Sequence, residues 1–437
     1  MLATHQISRA MLVVALAVSS QGCSALTDVE APDVVQPPDL RNPIGAQALR
    51  AGAIGSFIDA FAGGQVFTGS QVVRSGTIAD EFIATNLIDE ADKRILPDFG
   101  FGFFIYQPLQ QTRLYLGDAI EALRRYVPTA TAQVGQLFAL RGYVILFFGE
   151  NMCSGVPLST VDDGALVFGR GLTTTELLNG AVQEFDSAIT YAADSAKYLN
   201  LARVGKARAL LSLARFADAV TAATPVPTTF SYLTEQSSTV QQNGIYVRTY
   251  VNRAGSVADR EGTNGLDFIS ANDPRVVTQL IGPSSDPTVL TYGVTKYNSF
   301  ASPVVLASGL EARLIEAEAA YQANPDDTAS VGTGWLGILN SLRQTQISPP
   351  LAPLADPGSR TAREDLIFRE RAFWLFGTGH RHGDLRRLIR QYGRSAESVF
   401  PTGPYRAGIV YGTDVTLTTT PDERNNPNYT GCIDRNP

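Results

Sequence analysis

The chain has 437 residues, of which 44% are hydrophobic and 18% are charged. This composition supports a folded core and excludes an intrinsically disordered chain, and the formal net charge of −7 argues against a nucleic-acid-binding surface. Because no low-complexity linker divides the sequence, we expect one compact body or two closely packed lobes.

The N-terminus has the pattern of an export signal. Arg9 precedes a short apolar segment at residues 10–18, which is too short to remain as a membrane span. We predict that residues 1–22 are a signal peptide and that Cys23, in a context resembling bacterial lipoproteins, becomes the acylated first residue; ordinary secretion is the alternative. Residues 23–42 then form a Pro-rich, lipid-anchored tether, and residues 43–437 form a single domain.

Apolar residues that recur every three to four positions predict a mainly α-helical domain. Thr173 and Glu176 have the spacing of a capping box, in which the two side chains bond free N–H groups of the first helical turn. Arg141 interrupts the most apolar of these segments, which is also too short for a membrane span and is therefore expected to be a buried core helix. The predicted helices cover residues 45–62, 108–126, 129–149, 173–192, 199–223, 302–323 and 334–343.

Pairs of these helices resemble tetratricopeptide units, which are helix-turn-helix repeats rich in Ala, Leu, Tyr and Phe. The segments at 302–323 and 334–343 form such a pair, with a turn at Asn324-Pro325. No strict repeat period is present, so an ordinary helical bundle is the alternative.

Two long segments, near residues 63–107 and 225–301, fit no continuous helical pattern and are predicted to be loop insertions. The second contains strand-like alternation from Ile245 to Val251. Long irregular segments of compact proteins are usually functional, and aromatic rings beside polar residues suit stacking on a sugar or holding a peptide. The aromatic candidates are Phe82, Phe99, Phe101, Phe103, Tyr232, Tyr246, Tyr250, Tyr292, Tyr297 and Phe300.

Two cysteines remain once Cys23 is assigned to the anchor. In an oxidising compartment Cys153 and Cys432 are expected to pair, which would tie the C-terminal tail to a loop near the middle of the chain. Two thiols alone do not make a zinc site.

Sequence motifs whose spacing enforces catalysis or cofactor binding are absent, so neither an enzyme nor a cofactor site is the leading expectation. His380 and His382 have the H-x-H spacing of a metal site, but the mature chain has no third histidine, and we expect both to pack and to form hydrogen bonds. Adjacent carboxylates at Asp80-Glu81 and Asp162-Asp163 leave open an acid/base pair of a glycosidase.

Residues 362–392 contain two amphipathic helical patterns joined by a glycine-rich break. Thr361 and Glu364 have the capping-box spacing, and Asp384 is placed to cap the second helix. Gly377 and Gly379 are expected to end the first helix.

This C-terminal stretch carries the pattern of a known family. It contains an Arg-Glu-Arg run followed by a Gly-x-Arg-x-x-Asp-Leu-Arg-Arg run, with Trp374 and Thr378 standing where acidic residues are usual. Weaker matches follow in order along the chain: Cys23, residues 79–81, 114–115, 141–150, 156–158, 316–319, 339–343 and 426–429. The sequence therefore resembles the SusD/RagB family of outer-membrane nutrient-binding lipoproteins.

The resemblance implies a mainly helical SusD-like fold, in which tetratricopeptide-like pairs form a scaffold with long irregular loops and minor β structure. It also implies a lipid-anchored, surface-exposed protein of the outer membrane that binds oligosaccharides or peptides without turnover and works with a SusC-like TonB-dependent transporter. Ligand residues of the family lie in variable loops, and our candidates are Asn86, Phe101 and Tyr297. The structural signature is carried by Glu370, Arg371, Gly379, Arg381 and Asp384.

Two other functions remain open at this point. One is a secreted glycoside hydrolase that uses the loop carboxylates. The other is a protein-interaction adaptor of the tetratricopeptide type, which predicts protein partners and no small ligand.

Overall fold

A computed structural model describes residues 40–64, 70–86, 89–97, 103–162, 164–284 and 286–436. Within these ranges the chain forms 13 α-helices, and the predicted mainly α-helical class is confirmed. The helices are α1 Pro43–Ala62, α2 Gln71–Ile78, α3 Phe103–Tyr126, α4 Thr131–Asn151, α5 Thr174–Tyr191, α6 Ala196–Ser212, α7 Phe216–Ala223, α8 Gly244–Tyr246, α9 Gly309–Ala323, α10 Trp335–Thr345, α11 Arg360–Trp374, α12 Arg381–Tyr392 and α13 Ala396–Val399.

The described strands are short and pair antiparallel in twos. The pairs are β1 with β7, β2 with β5, β3 with β4, β6 with β10, and β8 with β9. Their bounds are β1 Phe82–Ala84, β2 Val156–Pro157, β3 Thr160–Asp162, β4 Ala165–Val167, β5 Gly171–Leu172, β6 Ser231–Thr234, β7 Gly255–Val257, β8 Thr278–Pro283, β9 Leu290–Val294 and β10 Val304–Ser308.

Helices that follow one another in the sequence pack side by side, as in tetratricopeptide units: α3 on α4, α5 on α6, and α9 on α10. Glycines allow the close approach of α4, α5 and α6. A Cβ atom at Gly142 or at Gly205 would overlap the ring of Phe185, so this buried phenylalanine fills the space between the three helices.

Among the described residues, two hydrophobic cores hold the scaffold together. The larger core contains α4 and the helices around it, including the stacked rings of Phe57, Phe61 and Phe147. The smaller core lies among α9 to α13, where Tyr321 meets Trp335 edge to face at 5.9 Å.

Helix α4 is long and apolar enough to cross a membrane by length and composition, but 78% of its most apolar window is buried inside the protein. It is therefore a core helix, as the interrupted apolar pattern predicts. The predicted capping box also forms at the start of α5, where the N–H of Glu176 donates to Thr173 and the N–H of Thr173 donates to Glu176.

The segment predicted as one helix at 199–223 is two helices. Ala214 adopts a positive φ of +56°, and the N–H of Arg215 donates to the carbonyl of Leu210, so α6 ends in a left-handed turn before α7 begins. The apolar spacing continues through the break, which is why the periodicity does not reveal it.

Other predicted boundaries are also corrected. Residues 304–308 form strand β10, and α9 begins only after Ser308, whose Oγ accepts from the N–H of Glu311. The predicted strand from Ile245 to Val251 is helical instead. The long segment at 63–107 contains α2, β1 and the start of α3.

The residues that cap the C-terminal helices also differ from the prediction. Ser359, and not Thr361, caps α11 by accepting from the N–H of Ala362. His380 holds the cap position of α12. Asp384 lies inside the first turn of this helix, where its carboxylate accepts a hydrogen bond from Arg371.

Candidate functional site

The C-terminal signature is a set of buried ion pairs. Nε and Nη2 of Arg371 donate to Asp384 at 2.8 and 3.0 Å, which joins α11 to α12. Arg387 donates to Asp384 at 2.7 Å and also pairs with Glu318 of α9. Burial favours the neutral acid, but the two guanidinium groups prevail and hold the pKa of Asp384 below its usual range. These charged groups are buried and hold the three helices together.

Glu370 and Gly379 also bind arginine side chains inside the protein. Glu370 accepts from Arg275 at 2.6 Å and from Arg343 at 2.7 Å. Gly379 has a φ of +77°, which L-residues rarely adopt, and its carbonyl accepts from Arg208 at 2.8 Å. The glycine-rich break is therefore a fixed turn between the two helices.

The carboxylates of Asp80 and Glu81 are enclosed by protein, each with 1% of its surface exposed. Both oxygens of Asp80 accept from Arg381, and Oε1 of Glu81 accepts from the N–H of Gly377 at 2.9 Å. Burial raises the pKa of Glu81 to about 8. A sugar cannot reach this pair, so its proposed role as a glycosidase acid/base pair is corrected to a structural one. Asp162 lies exposed on β3, and Asp163 lies outside the described residues.

The two histidines pack at the helix junction, as predicted. His382 donates from Nε2 to the carbonyl of Val415 at 2.9 Å, and its Nδ1 lies 3.0 Å from Asn151. Burial lowers the pKa of His382 to about 3, so this ring is neutral. Nε2 of His380 lies 3.0 Å from Glu311. In the part of the chain that the structure describes, no group of three possible metal ligands is present.

The three candidate ligand residues do not form one site. Tyr297 is buried, and its hydroxyl donates to the carbonyl of Gly377 at 3.0 Å, so its ring belongs to the core and does not face a ligand. Asn86 is half-buried just after β1. Phe101 lies outside the described residues. Among the other aromatic candidates, Phe82 and Tyr232 are also core residues.

Three half-buried rings from the second insertion do come together, and we refer to Tyr246, Tyr250 and Phe300 as the aromatic site. The rings of Tyr246 and Tyr250 are stacked, with centroids 5.1 Å apart and planes 22° apart. Phe300 meets Tyr246 edge-on, with centroids 4.9 Å apart and planes 75° apart. The site therefore presents three packed aromatic rings that are not enclosed by the core.

Buried Asn243 fixes two of these rings at once. Its Oδ1 accepts from the N–H of Tyr246 at 2.9 Å and thereby caps α8. Its own N–H donates to the carbonyl of Phe300 at 2.8 Å, and its Nδ2 donates to the carbonyl of Ser302 at 2.8 Å. Asn243 thus connects the two chain segments that carry the aromatic site. The sequence signal for it is an Asn three residues before the i, i+4 tyrosine pair.

The helix that carries the tyrosines is wound unusually. Residues Val247–Val251 continue α8 as a π-helix, a form that recurs at functional sites. Its Arg248 donates to Asp89 at 3.1 Å, and Asp89 also accepts from Arg74 of α2 at 2.8 Å. These buried charges tie the π-helix to the first insertion.

Tyr250 lies against the backbone of β9. A Cβ atom at Gly293 would overlap the Tyr250 ring, so glycine is needed for this contact. The Tyr250 hydroxyl oxygen is buried and has no hydrogen-bond partner among the described residues, and burial, together with the neighbouring Tyr246 hydroxyl, raises its pKa. The Tyr250 ring is therefore held in the aromatic site by its packing on β9 and on Tyr246.

A separate cavity of about 890 Å³ lies between α7, α9 and α10. Its apolar wall includes Val220, Ala320 and Ile338, and Arg313 and Glu316 form part of its polar lining. It belongs to the helical scaffold and does not include the aromatic site.

Cys153 and Cys432 form a disulfide with their Cα atoms 5.7 Å apart. The N–H groups of Cys153 and Ser154 donate to the carbonyls of Leu417 and Asp434, so backbone hydrogen bonds hold the same tail. Cys23, the predicted lipid-attachment residue, lies outside the described residues.

Comparison with solved structures shows which fold this is. A SusD-like carbohydrate-binding protein from Bacteroides vulgatus superposes with a TM-score of 0.63 at 12% identity, covering 89% of this chain and 97% of that one. A SusD/RagB family protein from Bacteroides thetaiotaomicron gives 0.60 at 13% identity, covering 88% and 94%. The chain has the SusD/RagB fold. The resemblance found in the sequence is thereby confirmed at the level of fold.

A laminarin-binding SusD-like protein superposes on the same fold with a TM-score of 0.53 at 14% identity, covering 82% of this chain and 95% of that one. No family model and no curated protein matches the sequence. Because the identities are this low, the shared architecture establishes the fold alone.

Proposed function

We propose that this SusD-fold protein binds an oligosaccharide without chemical turnover at the aromatic site. It is held at the surface of the outer membrane by a lipid on Cys23 and passes the ligand to a SusC-like TonB-dependent transporter. The observation that carries the proposal is the stacked pair Tyr246 and Tyr250 with Phe300 edge-on beside it.

The geometry suits a sugar for two reasons. Tyrosine rings offer apolar faces to the C–H groups of a pyranose, and they lose little conformational entropy because each has only two side-chain torsions. The adjacent carboxyl groups of Asp80 and Glu81 are buried in structural contacts, which supports binding without turnover.

The solved relatives of this fold support the same ligand class. One is described as carbohydrate-binding and another as laminarin-binding. A peptide is the alternative ligand, since stacked tyrosines also hold peptide side chains.

The proposal is tested by binding the purified protein to an array of oligosaccharides and peptides, followed by titration of the strongest binder. Tyr246→Ala and Tyr250→Ala should each weaken binding about tenfold, which corresponds to the loss of about 1.4 kcal/mol of ring contact. Tyr115→Ala is the matched control, because Tyr115 is an exposed tyrosine on α3 and should leave affinity unchanged. Equal affinities for all four proteins would reject the aromatic site, and tyrosine-dependent peptide binding would replace the sugar as ligand.

Anchoring and delivery need their own measurements. Mass spectrometry of the protein from membranes should find the first mature residue at Cys23 with acyl chains attached. Purification under mild detergent should recover a large barrel transporter with it. Release of soluble, unacylated protein would reject the lipid anchor and leave the ligand assignment intact.

The cavity between α7, α9 and α10 favours a second candidate function, a protein-interaction adaptor. Its apolar wall suits a partner segment of similar character. Ile338→Glu would place a charge in this wall and should abolish recovery of such a partner while leaving sugar binding unchanged. Recovery of the same partners by the variant would reject this function.

A further inference from the structure

One end of the helical scaffold differs in charge from the rest of the molecule. It is formed by residues 40–50, 121–133 and 192–200, which we call the tether end because the chain passes from the predicted tether into α1 there. Nε2 of Gln47 donates to Gln133 at 2.8 Å, and Gly135 lies against Ala192. These contacts bring the start of α1 to the start of α4 and the end of α5.

The tether end carries five basic and two acidic residues, although the whole chain has a net charge of −7. The acidic residues are Glu121 and Asp194, and both are exposed. The basic residues are Arg41, Arg50, Arg124, Arg125 and Lys197.

Many arginines elsewhere in the chain are neutralised in ion pairs, as in the helix junction around Asp384. Within the described ranges, none of the five basic residues of the tether end makes an ion pair. Three of them lie over tyrosine rings instead, Arg124 over Tyr191 at 6.0 Å, Arg125 over Tyr126 at 5.5 Å and Lys197 over Tyr232 at 5.3 Å. The tether end therefore keeps a net charge of +3, and its basic side chains are not held in ion pairs within the described ranges.

The same end exposes an apolar side chain. Ile44, in the first turn of α1, is 84% exposed, the largest value for a large apolar residue in the described chain. Half-buried Tyr126, Tyr191 and Tyr198 lie around this end. Unpaired cations, amphipathic rings and one exposed aliphatic residue together match a membrane interface, where each type has a favourable position.

We infer that the tether end docks onto the anionic headgroups of the membrane that holds the protein. This inference rests on the lipid anchor of the proposed function. The aromatic site lies near the other end of α1, where Gly63 bridges to Asn243. Helix α1 has 20 residues and is about 30 Å long, so docking would hold the aromatic site about 30 Å from the headgroups.

The test uses the chain from residue 24 onward, which lacks an acyl group and keeps every described residue, including both cores. Its sedimentation with vesicles of neutral phosphatidylcholine is compared with vesicles containing 30% phosphatidylglycerol. Binding should require the anionic lipid and should decrease with salt. The triple variant Arg41→Gln/Arg124→Gln/Arg125→Gln should bind the anionic vesicles about 100-fold more weakly, at about 1 kcal/mol for each basic residue. Ile44→Ser should lower binding severalfold.

The matched control removes the same charge elsewhere, with Arg170→Gln/Arg215→Gln/Arg260→Gln. These arginines are 63%, 50% and 69% exposed, and their ion pairs on the surface contribute little to stability. The control should bind vesicles at most severalfold more weakly than the parent chain. Equal loss in both triple variants, binding to neutral vesicles, or no vesicle binding at all would overturn the inference. Sugar binding by the same variants reports on the aromatic site separately.

Discussion

Arg381 and Asp80 are 301 residues apart in the sequence and form a buried bidentate ion pair, with Nε and Nη2 donating to the two carboxylate oxygens at 2.6 and 2.9 Å. Asp80 also accepts from the N–H of Leu266 at 3.0 Å. One carboxylate therefore joins α12 to the first insertion and to the second. The C-terminal signature holds in place the loops that carry the aromatic site.

Asp80→Asn should destabilise the protein by about 3 to 5 kcal/mol, because it leaves the Arg381 charge buried without its partner. Urea unfolding followed by circular dichroism measures this change. Asp326→Asn is the control: Asp326 also pairs with an arginine, Arg363, but is 88% exposed, so the loss should be below about 1 kcal/mol. Similar losses of unfolding free energy in both variants would show that burial of the ion pair does not determine its contribution to stability.

Glu81 should make stability fall as the solution becomes alkaline. Burial raises its folded-state pKa from 4.5 to about 8, so the folded protein keeps a proton that the unfolded chain releases between these values. Its contribution is complete below pH 4.5 and is lost as pH rises towards 8, at a slope of up to about 1.4 kcal/mol per pH unit. Urea midpoints at pH 5, 6, 7 and 8 should therefore decline less in Glu81→Gln than in the parent protein. Parallel declines would refute this role of Glu81.

Much of the helical scaffold could be predicted because its signals are local. The capping box at Thr173 and Glu176 and the buried apolar helix α4 follow from residues within a few turns. The break at Ala214 could not be predicted, since alanine favours helix and rarely takes a positive φ. Tertiary packing overrides the local preference there.

The aromatic site could also be predicted only in part, because it depends on tertiary packing. The sequence indicates that rings in the insertions matter, but it does not distinguish Tyr297, which is in the core, from Tyr250, which is not. That difference depends on Gly293 of β9 and on Asn243, which lie 43 and 7 residues away from Tyr250. The period-two pattern from Ile245 to Val251 also suggests a strand, whereas the π-helix is what brings the two tyrosines into a stack.

The disulfide should contribute strongly to stability. Cys153 and Cys432 close a loop across 279 residues, and the chain-entropy account gives about 5 kcal/mol for a loop of this length. The double variant Cys153→Ala/Cys432→Ala should lower the urea midpoint, and addition of a reductant should lower the parent midpoint by a similar amount. A reductant effect on the double variant would mean that another cysteine reaction is responsible.

Gly293→Ala should weaken sugar binding although it removes no ring of the aromatic site. The new methyl group would overlap Tyr250 and push its ring away from Tyr246, so the stacked surface would be lost while the tyrosines remain. We expect a loss of affinity of about tenfold, similar to that of Tyr250→Ala, measured by isothermal titration. Gly52→Ala is the control, because a methyl group at this helical position meets no neighbouring atom within 4 Å and should leave affinity unchanged. If Gly293→Ala binds as tightly as the parent while Tyr250→Ala does not, the sugar requires the Tyr250 ring but not its stacked position on Tyr246.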